Sequence, residues 1–278
     1  MKQNKSTIFL VLVFVVGLSL LLYPTVADRW NARTQSRAIA SYTESVAKLD
    51  TERYDAIWAE AEAYNRALPG QTNRYNPDDL FHKQYLNALD VSGSGVMGYI
   101  EIPDINVSLP IYHGTDPAVL QVAVGHIEGS SLPTGGLGSH IALSGHRGLP
   151  SAKLFTDIDQ MEVGDTFLLT ILDRTLTYEV DQIRIVEPED LSDLELEASQ
   201  DYCTLITCTP YGINTHRLLV RGHRVENQEG PNLIHVPSDA YLVDTLLVAP
   251  LVAAPLLALL LIWLLLRYRG GKKEGEKR

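Results

Sequence analysis

A cysteine, an arginine and a distant histidine carry the chemistry available to this sequence. Cys208 follows residues 202–207, an aromatic, β-branched and apolar run that predicts a strand. Pro210, Gly212 and Asn214 then place three turn formers in a short span, and Arg217-Leu218-Leu219-Val220 opens a second strand. The pattern is a β-hairpin whose ends set Cys208 and Arg217 on neighbouring strands. A guanidinium beside a thiol lowers its pKa and stabilises an oxyanion forming next to it.

A thiol nucleophile needs a proton-transfer partner, and the best candidate lies far upstream. Ile141-Ala142-Leu143-Ser144-Gly145-His146-Arg147-Gly148 is a short apolar strand running into a loop, with His146 at the strand end. A Cys/His pair distant in sequence and adjacent in the fold is the arrangement that cysteine acyl transfer uses. Each residue also has a plainer use: Cys208 as a small buried hydrophobe, His146 as a loop residue. His113, His126, His140, His216 and His223 are alternative partners, with His216 the main rival because it adjoins Arg217.

The combination resembles a known signature. Thr204-Leu205-Ile206-Thr207-Cys208, with Arg217 after a glycine-containing turn, is similar to the sortase pattern. The continuation Leu218-Leu219-Val220-Arg221-Gly222-His223-Arg224 resembles the class C, pilin-polymerising group. So do Gly125-His126-Ile127-Glu128-Gly129-Ser130-Ser131-Leu132-Pro133 and Ser144-Gly145-His146-Arg147. The resemblance covers residues 97–225. It implies a closed eight-stranded β-barrel with Cys208, His146 and Arg217 as catalytic residues, and no metal or cofactor. Thr207, beside the nucleophile, and His126 are the candidate substrate contacts. The implied partners are secreted pilins or surface proteins with a Leu-Pro-x-Thr-Gly-like C-terminal sorting signal. A housekeeping enzyme acting on wall peptide, an inactive pilin-binding scaffold and a secreted cysteine protease are the competing readings.

The resemblance also implies a lid. Many class C sortases cover the cysteine with an Asp-Pro-aromatic motif ahead of the barrel. The nearest text here, Asn76-Pro77-Asp78-Asp79-Leu80-Phe81, departs from it. Pro77, Asp78 and Phe81 are the lid candidates, and a plain connecting loop with one short helix is the alternative.

The elements that must position this chemistry follow from composition and period. The chain has 278 residues, 23 basic and 34 acidic, for a net charge of −11. Removing the eight basic and two acidic residues of the two ends (1–24 and 246–278) leaves 15 basic and 32 acidic residues between them, a net of −17. So acidic a body makes nucleic acid an unsuitable partner. Residues 7–23 and 246–266 are apolar runs long enough for transmembrane helices, with lysines before the first and a basic tail, 267–278, after the second. Both termini are then expected in the cytoplasm and the middle outside the cell. A cleaved signal ending at Thr25-Val26-Ala27 is the alternative for the first run.

Residues 28–67 lack Gly and Pro and predict two helices broken near Leu49-Asp50-Thr51, with Ile57, Ala61, Tyr64 and Leu68 on one face. Loop-like sequence follows to 95. Strands are expected at 97–102, 105–111, 140–144, 166–172, 176–186, 202–207 and 217–225, with short helices at 118–122 and 153–158. The expected organisation is an anchor or signal segment (1–24), a helical segment with the possible lid (25–95), the barrel (96–230), a linker (231–245), and the second span with its tail. Cys203 and Cys208, about 16 Å apart in one strand and on opposite faces, cannot pair. Cys208 is therefore expected free and Cys203 inert.

Overall fold

The computed structural model describes residues 5–227. The apolar run at 246–266 lies outside the described residues. Helix α1 (Lys5–Val46) is continuous from the apolar run through Pro24, and the break expected near Leu49-Asp50-Thr51 falls between its end and the next helix at Thr51. Among the described residues it is the one helix long and apolar enough to cross a membrane. Its portion up to Arg29 separates by contacts from the compact unit that begins at Trp30.

Within the compact unit, α1 is fixed by polar side chains as well as apolar ones. Gln35 donates to the Val122 carbonyl at 2.8 Å, and Asn31 donates to the Ser151 carbonyl at 2.8 Å. Tyr42 is 2% exposed; its hydroxyl donates to Met97 O at 2.9 Å and accepts from Leu172 N at 2.7 Å. Helix α2 (Thr51–Ala67) starts where the sequence predicts, with the Asp50 side chain accepting from Arg53 N. It buries Ile57, Trp58, Ala61 and Tyr64, and Leu68 follows them into the core. Helix α3 (Asp79–Asn87) is capped by Asp78 and buries Phe81 and Tyr85.

Eight strands then close a barrel: β1 (Val96–Ile102), β2 (Val107–His113), β3 (Val124–His126), β4 (Ser139–Ser144), β5 (Thr166–Ile171), β6 (Arg174–Val186), β7 (Asp201–Thr209) and β8 (His216–Val225). Their order around the barrel is β1-β2-β3-β4-β7-β8-β6-β5. The pairs β2/β3 and β4/β7 are parallel and the others antiparallel. Seven of the eight are the expected runs with small changes at their ends. The eighth, β3, is three residues with a central glycine, too short to show a period. The second strand begins at Val107, because Pro103–Ile105 forms a 3₁₀ turn closed by Asn106 at φ 52. A short helix α4 (Pro117–Leu120) stands near the expected 118–122. Residues 153–158 form turns instead of a helix, with Leu154 at φ 41.

Alternation along the strands builds two apolar faces. Ile141, Leu143, Cys203, Leu205, Leu218 and Val220 join the main core with Phe167 and Tyr178. Ala142, Ile206 and Leu219 point the other way and form a smaller cluster with Val186 and Leu194. The site stands on that second face.

Tyr42→Phe should leave the buried Leu172 N–H without its acceptor and lower stability by about 1–3 kcal/mol. Urea unfolding checks this as a lower midpoint with an unchanged slope.

Candidate active site

β7 and β8 pair directly at Cys208 and Arg217, so the two side chains leave the sheet on the same face. On the opposite flank β4 runs parallel to β7 with Ser144 beside Ile206. The pairing continues through Gly145, whose N–H donates to Ile206 O at 3.0 Å. Two residues past Ser144, His146 comes level with Cys208. His146 itself lies just past the end of β4, two residues beyond the Ser144–Ile206 pair. Cys208 thus has Arg217 across from it on one neighbouring strand, and the loop that carries His146 leaves the end of the other. All three are partly exposed.

The local bonds explain why this rim is ordered. The Thr207 hydroxyl donates to Gly145 O at 2.7 Å, tying the residue before the nucleophile to the residue before the histidine. Phe155 N donates to His146 O at 3.1 Å. A Cβ on Gly145 would lie 2.6 Å from the Phe155 ring, so only glycine lets that ring pass beneath the loop. Arg217 donates to His216 O at 3.1 Å, and no carboxylate among the described residues neutralises it. Its charge is therefore available to a thiolate or an oxyanion.

The two cysteines contrast sharply. Both are free. Cys203 is fully buried, and burial, aided by the nearby Asp201 carboxylate, pushes its thiol well up. Cys208 stands half-exposed beside a cation. Only the second has the surroundings of a nucleophile.

Several candidates have other uses. Thr207 is 2% exposed and its hydroxyl is bound to Gly145 O, so it positions the histidine loop from below. His126 is corrected as a substrate contact because it is fully buried. Its Nε2 donates to Ser131 O at 2.8 Å, and its Nδ1 lies 3.1 Å from the Tyr85 hydroxyl. Burial, with the charge of His113 adding to it, lowers its pKa from 6.5 to about 4 against the opposing Ser131 carbonyl. His216 projects on the face opposite Arg217 and lies 3.3 Å from Glu187. His113 and His140 are buried and bonded to backbone carbonyls.

Asp78 caps α3, and Phe81 stacks on Tyr64 at a centroid separation of 4.5 Å inside the helical core. Pro77 is half-buried at the start of that turn. These contacts make Pro77, Asp78 and Phe81 the entry to a helix. The neighbouring Arg74, which the sequence does not single out, reaches further. Its Nη2 donates to Leu194 O at 3.1 Å, holding the β6–β7 connection where Leu194 packs against Ile206 and Leu219.

A closed eight-stranded barrel with a cysteine and an arginine paired at one rim, and a histidine just past the end of the neighbouring parallel strand, fits a class of acyl-transfer proteins. Residues 100–225 match the sortase domain. Sortase C1 from Streptococcus agalactiae is 51% identical over 69% of this chain and 99% of its own, with a TM-score of 0.66. Sortase C from Clostridium perfringens, solved with the C-terminal cell wall sorting motif, is 43% identical over 69% and 100% of the two chains, with a TM-score of 0.61. Sortase D of Bacillus subtilis is 35% identical over 131 residues, 46% of this chain; the match spans 63% of that relative's length. The chain belongs to the sortase family, and its structural neighbours are class C sortases.

The depressed His126 pKa makes stability depend on pH. Above pH 6.5 the ring is neutral in both states. As pH falls from 6.5 towards 4 the unfolded chain takes up a proton that the folded chain excludes, so stability is lost, by up to about 1.4 kcal/mol per pH unit. His126→Gln should flatten that slope, read as the difference in urea midpoint between pH 7 and pH 5. Equal slopes would mean that the folded protein accommodates the imidazolium.

Proposed function

We infer that the chain is a membrane-anchored cysteine transpeptidase that joins pilin subunits outside the cell. The observation that supports this reading is the pairing of Cys208 with Arg217 across β7 and β8, with His146 two residues past Ser144, which pairs with Ile206 at the end of the parallel β4. The class C neighbours support the pilin substrate, and the relative solved with a cell wall sorting motif supports a Leu-Pro-x-Thr-Gly-like signal. The apolar part of α1 supports anchoring, and the basic residues outside the two apolar runs of the sequence support cytoplasmic termini.

The reaction follows from the three groups. The Cys208 thiolate attacks the threonine carbonyl carbon of the signal, and Arg217 donates hydrogen bonds to the oxyanion that forms. As the Thr–Gly bond breaks, His146 gives its proton to the departing glycine amine. The threonine acyl group is left as a thioester on Cys208. A lysine amine of the next subunit, losing a proton to His146, attacks that thioester. An isopeptide bond forms, the S–C bond breaks and the thiolate returns. The thioester conserves the energy of the first peptide bond, so the transfer needs no nucleotide.

Cys208→Ala should abolish both the covalent adduct and the amide product. The check is mass spectrometry of the full-length chain in detergent with a Leu-Pro-x-Thr-Gly peptide and either a lysine-bearing pilin domain or wall peptide. An amide to the pilin lysine, absent in Cys208→Ala, supports the reading. Transfer to wall peptide alone would make this a housekeeping sortase, and hydrolysis despite a good amine would make it a protease. An adduct in the Cys208→Ala chain would remove Cys208 from the mechanism.

A further inference from the structure

Arg147 follows His146 directly, and its side chain is only 10% exposed. By its place at a barrel rim it should be a solvated charge; the structure instead turns it inward on three partners. Its Nη2 pairs with Asp159, its Nη1 donates to Thr209 Oγ1 at 3.4 Å, and its guanidinium lies 5.7 Å from the centre of the Tyr211 ring. Thr209 is the residue after Cys208, as Arg147 is the residue after His146. The neighbours of the two reacting side chains are therefore joined to each other across the strand boundary.

The backbone beside Arg147 is shaped for the same closeness. Gly148 has φ +75, and a Cβ there would lie 3.0 Å from the Tyr211 ring. The loop after β4 thus rests on the tip of the β7–β8 hairpin. Below it, Thr207 to Gly145 O and Gly145 N to Ile206 O hold the start of the same loop on β7. Those bonds act before His146, and the Arg147 contacts act after it. With both, the histidine backbone is held on the cysteine strand from either side.

We propose that Arg147 is a positioning residue for acyl transfer, holding His146 level with Cys208 by fastening the loop after β4 to the hairpin tip. This rests on the Cys208–His146 reading given above. The guanidinium suits the task because its planar fork reaches a carboxylate, a hydroxyl and an aromatic face together, which an ammonium does not. Asp159 neutralises the charge, so Arg147 can stand beside the imidazole without competing with Arg217 for the oxyanion.

The test is a double-mutant comparison on the full-length chain in detergent, following peptide cleavage and the rate of Cys208 alkylation by iodoacetamide. Arg147→Ala should lower kcat by about tenfold or more while KM stays within about twofold, because alignment is lost and peptide binding is not. Arg147→Lys should recover part of the loss, and Asp159→Asn should fall in the same direction. Alkylation should slow in Arg147→Ala as it does in His146→Ala, and the double variant should be no slower than His146→Ala alone. Multiplying effects would overturn the proposal, since Arg147 would then support the hairpin independently of His146. So would a wild-type kcat in Arg147→Ala. If His146→Ala itself leaves alkylation and turnover unchanged, the Cys208–His146 reading fails and the proposal fails with it. Should Arg147→Ala not fold, Arg147→Lys and Asp159→Asn carry the same comparison.

Discussion

The parallel pairing of β4 with β7 is the constraint on which the site depends. Parallel neighbours cannot be joined by a tight turn, so the chain between them must leave and return. Here it does so through β5 and β6, which is why the histidine and the cysteine lie so far apart in sequence. Parallel strands also end at the same rim. Two side chains placed at their C-terminal ends therefore meet without either entering the core. β8 then begins where β7 stops, and the antiparallel hairpin adds a cation on the other flank. A slip of one residue in either pairing would send a partner to the opposite face and leave Cys208 alone.

Face and depth, more than residue type, separate chemistry from packing along β7. Cys203 and Cys208 share a strand, yet the first alternates into the main core and the second onto the face beside Arg217. The same logic separates the histidines. His126 sits at the heart of a motif match, but β3 turns its ring inward, where Tyr85 and Ser131 O satisfy it. A buried neutral imidazole there joins α3 to the barrel, and Gly114 N donates to the same Tyr85 hydroxyl at 2.8 Å. The barrel thus keeps its polar groups in two sets. His126 and His113 belong to the set bonded inside the fold, and Cys208 and Arg217 to the partly exposed set at the rim.

How much was legible in the sequence follows the range of the interaction. The hairpin of Cys208 and Arg217 was readable because its period and turn residues are local. So was the start of α2, where Asp50 marks its own cap. β3 was not, since Val124-Gly125-His126 is too short to show alternation. The continuity of α1 through Pro24 was hidden by the proline and by the change from an apolar to a mixed, charged composition there. The parallel register that sets the end of β4 beside β7 was not readable, because no local pattern reports it; the choice of His146 over the other histidines leaned on the resemblance. The partners of Arg147 were hidden for the same reason: Asp159, Thr209 and Tyr211 become its neighbours only once the barrel has closed.

The segment ahead of the barrel shows how a departure from a motif can leave a mechanical link in place. Its Asp-Pro-aromatic text is missing, and Asp78 and Phe81 are committed to starting α3 and to packing on Tyr64. Yet Arg74, stacked on Tyr75 at 4.7 Å, holds the Leu194 carbonyl. His140 holds the Glu195 carbonyl from the barrel side. Leu194 in turn packs on Ile206 and Leu219, which lie on the same face as Cys208 and Arg217 and two residues from them. Residues 71–76 are thus tied through Arg74 to the β6–β7 connection and, through Leu194, to the floor of the site. The link runs through one buried guanidinium and two backbone carbonyls, and it requires no side chain to lie over the cysteine.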